Sequence, residues 1–123
     1  MKKIDSKKLG KIGEGIAVKY LEEKGFEIIE RNYRYGKGEI DIITKDPADG
    51  FLAFTEVKTR QNLQFGEPVY AITKVKQRQI RKIAELYLYE KEIENIDCRF
   101  DVIAILLEDM ENPQINHYVN AFI

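Results

Sequence analysis

Gly38-Glu39-Ile40-Asp41-Ile42-Ile43 and, after a turn, Phe51-Leu52-Ala53-Phe54-Thr55-Glu56-Val57-Lys58-Thr59 form the stretch on which the fold depends. Both segments have the β-branched and aromatic content of strands, and the intervening Asp46-Pro47-Ala48-Asp49-Gly50 has the composition of a turn. Each also carries ionisable residues within an apolar run, and a buried charge is costly unless it is paired or holds a metal. The two-residue period of a strand puts Glu39 and Asp41 on one face, with Ile40 and Ile42 opposite. In the next strand it gathers Leu52, Phe54, Glu56 and Lys58, apolar early and charged late. Paired as a hairpin, the two strands bring Asp41, Glu56 and Lys58 together.

Such a cluster suits a hard divalent cation, because Mg²⁺ prefers oxygen ligands, often one or two carboxylates with waters and phosphate oxygens. A cation held this way lowers the pKa of a bound water and neutralises charge on a phosphodiester, while a nearby ammonium orients the nucleophile. The same residues also fit a surface Glu–Lys pair on a solvent-facing strand, since Glu-x-Lys is common by chance.

Upstream, Leu9, Ile12, Ile16 and Tyr20 recur at helical spacing and predict a helix over Ser6–Glu23, with Ser6 as N-cap and Gly25 as stop. Gly10, Gly13 and Ala17 form a small-residue face that permits close approach to a sheet. Glu14 falls on the border of the buried arc, where it either reaches a site on the sheet or pairs in solvent with Lys7 or Lys11. Strands are expected at Glu27–Tyr33, Glu39–Thr44 and Phe51–Thr59, the first two separated by Gly36-Lys37-Gly38. Ile80, Ile83, Ala84 and Tyr87 predict a second helix over Thr73–Tyr89, and two further strands follow at Arg99–Leu107 and Ile115–Phe122. The order is αβββαββ, an α+β domain in which helices cover a largely antiparallel meander.

Several other residues have a functional and a plain structural reading. Lys74, Arg78, Arg81 and Lys82 share one helix face that either contacts phosphates or is simply solvated. Thr59–Pro68, with Arg60, Gln61, Asn62, Gln64, Phe65 and Gly66, reads as a substrate-contacting loop or a plain connection. His117 and Cys98 have no evident partner in sequence and read as structural, and Tyr87 and Tyr89 as packing or surface aromatics.

The length of 123 residues predicts a single domain spanning residues 1–123. One Cys and one His exclude an intramolecular disulfide and a Cys/His metal site, so any metal must be held by carboxylates. No apolar run has the length of a membrane span, and Met1-Lys2-Lys3-Ile4-Asp5 turns charged again instead of entering a signal-peptide core, which predicts a cytoplasmic protein without membrane contact. The net charge of −1 divides unevenly: residues 1–90 carry 18 basic and 14 acidic side chains, residues 91–123 carry 2 and 7. A local basic surface is therefore compatible with a neutral whole.

Asp41 followed by Glu56-Val57-Lys58 resembles the PD-(D/E)xK nuclease signature, with Ile40 where that name has proline. The resemblance is closer to the uncharacterised bacterial YraN-like family. It runs through Gly13-Glu14, Arg31-Asn32, Gly38 to Ile43, Glu56-Val57-Lys58-Thr59-Arg60, Phe65-Gly66-Glu67-Pro68, Arg99-Phe100-Asp101-Val102 and Asn120-Ala121-Phe122. It implies a restriction-endonuclease-like fold with a mixed central sheet, related to archaeal Holliday-junction resolvases that place a glutamate on the first helix. By that correspondence Glu14, Asp41, Glu56 and Lys58 are the catalytic residues; Glu14, Asp41 and Glu56 hold Mg²⁺ or Mn²⁺, and Glu39 supports them. Arg60, Lys74, Arg78, Arg81 and Lys82 are the expected nucleic-acid contacts. The expected activity is metal-dependent hydrolysis of DNA, with branched DNA and RNA both open as substrates and a homodimer suited to junctions. The rivals are an inactive nucleic-acid-binding module of the same fold and an interaction protein docking through its acidic C-terminal region.

Overall fold

The first helix, α1, spans Ser6–Glu23 in the computed structural model, which describes residues 3–64, 66 and 72–122. Its N-cap is Asp5, not Ser6: the Asp5 carboxylate accepts the Lys8 backbone N–H, so the cap sits one residue earlier than the helical period suggested. Gly25, at φ +86°, ends the helix as expected, and the Phe26 N–H returns to the Leu21 carbonyl.

Five strands follow, β1 (Glu27–Tyr35), β2 (Gly38–Lys45), β3 (Leu52–Arg60), β4 (Cys98–Leu106) and β5 (Gln114–Tyr118), with helix α2 (Lys74–Glu90) between β3 and β4. The sheet order is β1-β2-β3-β4-β5. All neighbours are antiparallel except β3 and β4, which run parallel in register from Leu52↔Cys98 to Arg60↔Leu106, so α2 is their crossover. The order αβββαββ and the mixed sheet between helices make this an α+β fold consistent with a restriction-endonuclease-like one.

Each helix buries its apolar stripe on a different face of the sheet. Ala17 and Leu21 of α1 pack with Ile42, Val57, Ile103 and Ile105. Ile80, Ile83, Ala84 and Tyr87 of α2 pack with Tyr33, Ile40, Ile43 and Phe54. Each fully buried aliphatic side chain in these layers contributes about 1.5–3 kcal/mol of transfer free energy. The α1 layer also depends on a missing side chain: a Cβ at Gly13 would overlap the Thr59 hydroxyl, so only glycine lets α1 lie this close to β3.

Two expectations are corrected here. The last strand ends at Tyr118 and not at Phe122, because Asn120 takes φ +53° and its N–H turns to Asp101 Oδ1 at 2.9 Å. Ile40 and Ile42 do not share a face, since Ile40 joins the α2 core and Ile42 the α1 core. Regular alternation fails at this point, where the β2–β3 ladder ends at Ile42↔Thr55 and Asp41 Oδ2 takes the Val57 N–H; opposite Asp41, between the pairs Arg31↔Ile42 and Tyr33↔Ile40, Asn32 has φ +52°. Asparagine tolerates this left-handed backbone better than most residues. Among the described residues, no helix is long and apolar enough to cross a membrane.

Candidate metal centre

β2 and β3 hydrogen-bond as a ladder only from Lys45↔Leu52 to Ile42↔Thr55. Beyond that pair β2 stays with β1 and β3 stays with β4, so a wedge opens between them. Asp41 fills it: its Oδ2 accepts the Val57 N–H at 2.7 Å, a side-chain bond where the ladder would have placed a backbone one. The charged ends of both strands therefore meet at the mouth of the wedge.

Glu14 arrives from α1, on the half-buried border of the helix where its angular position put it. Its partner is Asn32, not a lysine of its own helix: Asn32 Nδ2 donates to Glu14 Oε1 at 2.7 Å and to Glu39 Oε1 at 3.4 Å. The left-handed turn at Asn32 thus aims one amide at two carboxylates from different elements. One oxygen each of Glu14, Glu39 and Asp41 lies within 4.8 Å of the other two. Glu39 also meets the exposed Arg34 at 3.0 Å. Glu39 therefore stands beside Glu14 and Asp41, while Glu56 lies outside that compact set.

Glu56 is adjacent on the α2 side, 5% exposed, with Lys58 Nζ and Lys76 Nζ each 3.7 Å from its Oε1. Burial raises the Glu56 carboxyl above its ordinary range, the two lysines oppose that, and Glu39 and Glu14 add to it. Asp41, 7% exposed, is pushed up to about 8. Burial is the main cause, followed by the charge of Glu56; the Val57 N–H opposes them, while Glu14 and a hydrogen bond with Glu39 push the same way. Four carboxylates thus crowd one place with too few cations to balance them. The all-oxygen donor set of Glu14, Glu39 and Asp41 could hold a hard metal ion.

Two contributors escaped the sequence reading. Lys76 lies on the apolar arc of α2, four residues before Ile80, and a basic residue on a buried face was the available signal. Asn32 gave no periodic signal, because its role depends on backbone conformation. Of the basic face, Lys74, Arg78 and Lys82 are exposed, whereas Arg81 is half-buried with its Nε sequestered. Arg60 ends β3, also half-buried with a sequestered Nε. Phe65, Glu67 and Pro68 of the expected substrate loop lie outside the described residues.

His117 and Cys98 have structural surroundings. Asp101, fully buried, accepts from His117 Nε2 at 2.8 Å, which leaves His117 Nδ1 to accept from the Tyr20 hydroxyl at 3.4 Å. The half-buried Cys98 thiol is raised by burial and then by Asp97, the opposite of an activated nucleophile.

The mixed sheet between two helices is an α+β fold consistent with a restriction-endonuclease-like one, and the acidic side chains gathered where β2 and β3 diverge are a candidate metal centre. Residues 13–105 match the family described as "Uncharacterised protein family UPF0102", and the chain belongs to that family, in agreement with the resemblance drawn from its motifs. A UPF0102 protein of Geotalea daltonii is 50% identical over 120 residues, covering 98% of this chain and 93% of its own length. UPF0102 proteins of Chlorobium limicola and Pelobacter propionicus are 47% and 46% identical, covering 96% of this chain in each case and 94% and 84% of their own lengths.

Proposed function

We propose that this protein is a Mg²⁺-dependent nuclease that hydrolyses phosphodiester bonds in DNA. The observation that carries the reading is the convergence of Glu14, Glu39 and Asp41 oxygens within 4.8 Å beside Glu56 and Lys58. Glu14, Glu39 and Asp41 would hold the cation, and Glu56 would complete the site from β3. Bound there, Mg²⁺ supplies charge neutralisation at the phosphodiester and activation of the attacking water. Lys58, paired with Glu56 and half-buried, places an ammonium where negative charge develops on the scissile phosphate. Asn32 orients two of the carboxylates, and the Val57 N–H fixes the rotamer of Asp41.

The test is cleavage of branched, linear and single-stranded DNA with Mg²⁺ or Mn²⁺ by the wild type and by Asp41→Asn. The wild type should cleave at least one substrate, and the variant should lose about 100-fold or more in rate, the scale of removing one transition-state contact. A variant that cleaves as fast as the wild type would remove Asp41 from the mechanism. A folded, metal-binding wild type that cleaves none of the panel would leave a nucleic-acid-binding module.

A further inference from the structure

The β1–β2 hairpin and α2 enclose a groove of about 290 Å³ between Tyr35, Lys37 and Gly38 on one side and Gln79, Lys82 and Ile83 on the other. We propose that it is a subsite for one unstacked nucleotide of a single-stranded or branched DNA; the proposal rests on the nuclease reading for the identity of the polymer and narrows its substrate class.

The groove has the chemistry of a nucleotide. Tyr35 offers an aromatic face and is 51% exposed, while Ile83 lends the wall an apolar surface. Lys37 and Lys82 stand at the groove as cations, and among the described residues no carboxylate lines it, which suits an anionic ligand. Gln79 brings an amide able both to donate to and to accept from a base edge. A volume at the lower end of small-molecule sites fits one base and not a helix. Bases within a duplex hide their faces in the stack, so a platform of this kind selects for an unpaired one.

The groove is also built in, and set at a definite distance from the acidic cluster. A Cβ at Gly38 would overlap Ile83 Cδ1, so glycine brings β2 against α2 and shapes the floor. Gly36, at φ +60°, makes the two-residue turn that pairs Tyr35 with Gly38. Along β2, Gly38 precedes Asp41 by three residues, about 10 Å at the rise of a strand. Along α2, Lys76 reaches Glu56, and Gln79 and Ile83 follow on the same face at i+3 and i+7, about 4.5 and 10 Å on at the rise of a helix, Ile83 being the residue that Gly38 packs against. Two elements thus give one spacing, about three stacked nucleotide steps of a strand and fewer of an extended one. A strand with its scissile phosphate at the acidic cluster passes over the groove.

The experiment measures binding of a labelled ten-nucleotide dT strand and of a blunt duplex of equal length in EDTA, so that neither cleavage nor metal takes part. The wild type should prefer the single strand. Tyr35→Ala should lower the ratio of single-strand to duplex affinity about 5- to 150-fold, the range for losing one base–aromatic stack. Tyr35→Phe should keep the ratio, and Lys37→Gln and Lys82→Gln should each reduce the single-strand salt slope by about 0.7. An unchanged ratio in Tyr35→Ala, equal losses on both polymers, or a wild type without preference for the single strand would overturn the proposal. Mg²⁺-dependent cleavage by a wild type whose ratio ignores Tyr35 would remove the subsite and leave the nuclease. Tyr35-dependent binding by a chain that cleaves nothing would do the reverse.

Discussion

Two groups of buried carboxylates in this molecule have opposite environments. Asp101, in the first half of β4, is fully buried with Arg99 Nε 3.0 Å from its Oδ1 and His117 Nε2 2.8 Å from its Oδ2, and Oδ1 also takes the Asn120 N–H. Burial alone would raise its carboxyl, but the bonds from His117, Arg99 and Asn120 hold it below its ordinary value. Arg99 also reaches Asp46 at 2.8 Å and Asp49 at 2.7 Å, tying the β2–β3 turn to β4. Asp41 is nearly as buried but faces Glu56, Glu14 and Glu39, with one backbone N–H against them, and its carboxyl rises. The first group is complete within the fold. The second is left short of positive charge in the place where strands diverge, as expected of a site that takes a cation from solution.

The largest expected effect comes from breaking the complete group. Arg99→Met strands Asp101 and Asp46 without their main partner and should cost about 3–5 kcal/mol, as for other buried ion pairs broken on one side. The metal-free Asp41→Asn variant should be as stable as the wild type or more so, since it relieves repulsion. Urea unfolding measures both, and equal losses in the two variants would abolish the contrast.

The pH dependence sharpens it with opposite signs. Asp41 has a folded value of about 8 against an ordinary 3.8, so between these pH values the folded state holds the proton that the unfolded state has shed. Its contribution to stability therefore declines as pH rises from about 4 to 8, by at most about 1.4 kcal/mol per pH unit. Asp101 lies below its ordinary value, so its contribution is present above about pH 4 and is lost as pH falls further. Metal-free wild type should lose stability from pH 5 to 8, Asp41→Asn should lose less, and saturating Mg²⁺ should flatten the wild-type slope. Parallel slopes for wild type and variant would contradict the assignment to Asp41.

Much of the fold was legible because it rests on local periodicity. The bounds Ser6–Glu23 came from i, i+3, i+4 spacing, and the face shared by Leu52, Phe54, Glu56 and Lys58 came from alternation; Leu52 and Phe54 do join the α2 core while Glu56 meets Lys76 of α2. Glu14 was placed at the border of its helix by angle alone, and it lies there. Features that depend on non-local contact or on single backbone angles were hidden. The split of Ile40 from Ile42 falls where the β2–β3 ladder ends, and the early end of β5 follows from Asn120 turning to Asp101. The joining of Arg99 to Asp46, Asp49 and Asp101 links positions fifty and more residues apart. Glu39 looked like a supporting group because strand position alone does not show that Asn32 draws it toward Glu14.

Calorimetric titration with Mn²⁺ at pH 7 shows directly whether the acidic cluster takes a divalent cation. The wild type should bind the ion and gain stability with its concentration, about 2.7 kcal/mol at one hundred times Kd. Asp41→Asn should bind about tenfold or more weakly, the scale on which metal sites respond to losing even a supporting partner. A wild type that takes up no Mn²⁺, or an Asp41→Asn variant that binds it as tightly as the wild type, would contradict the account.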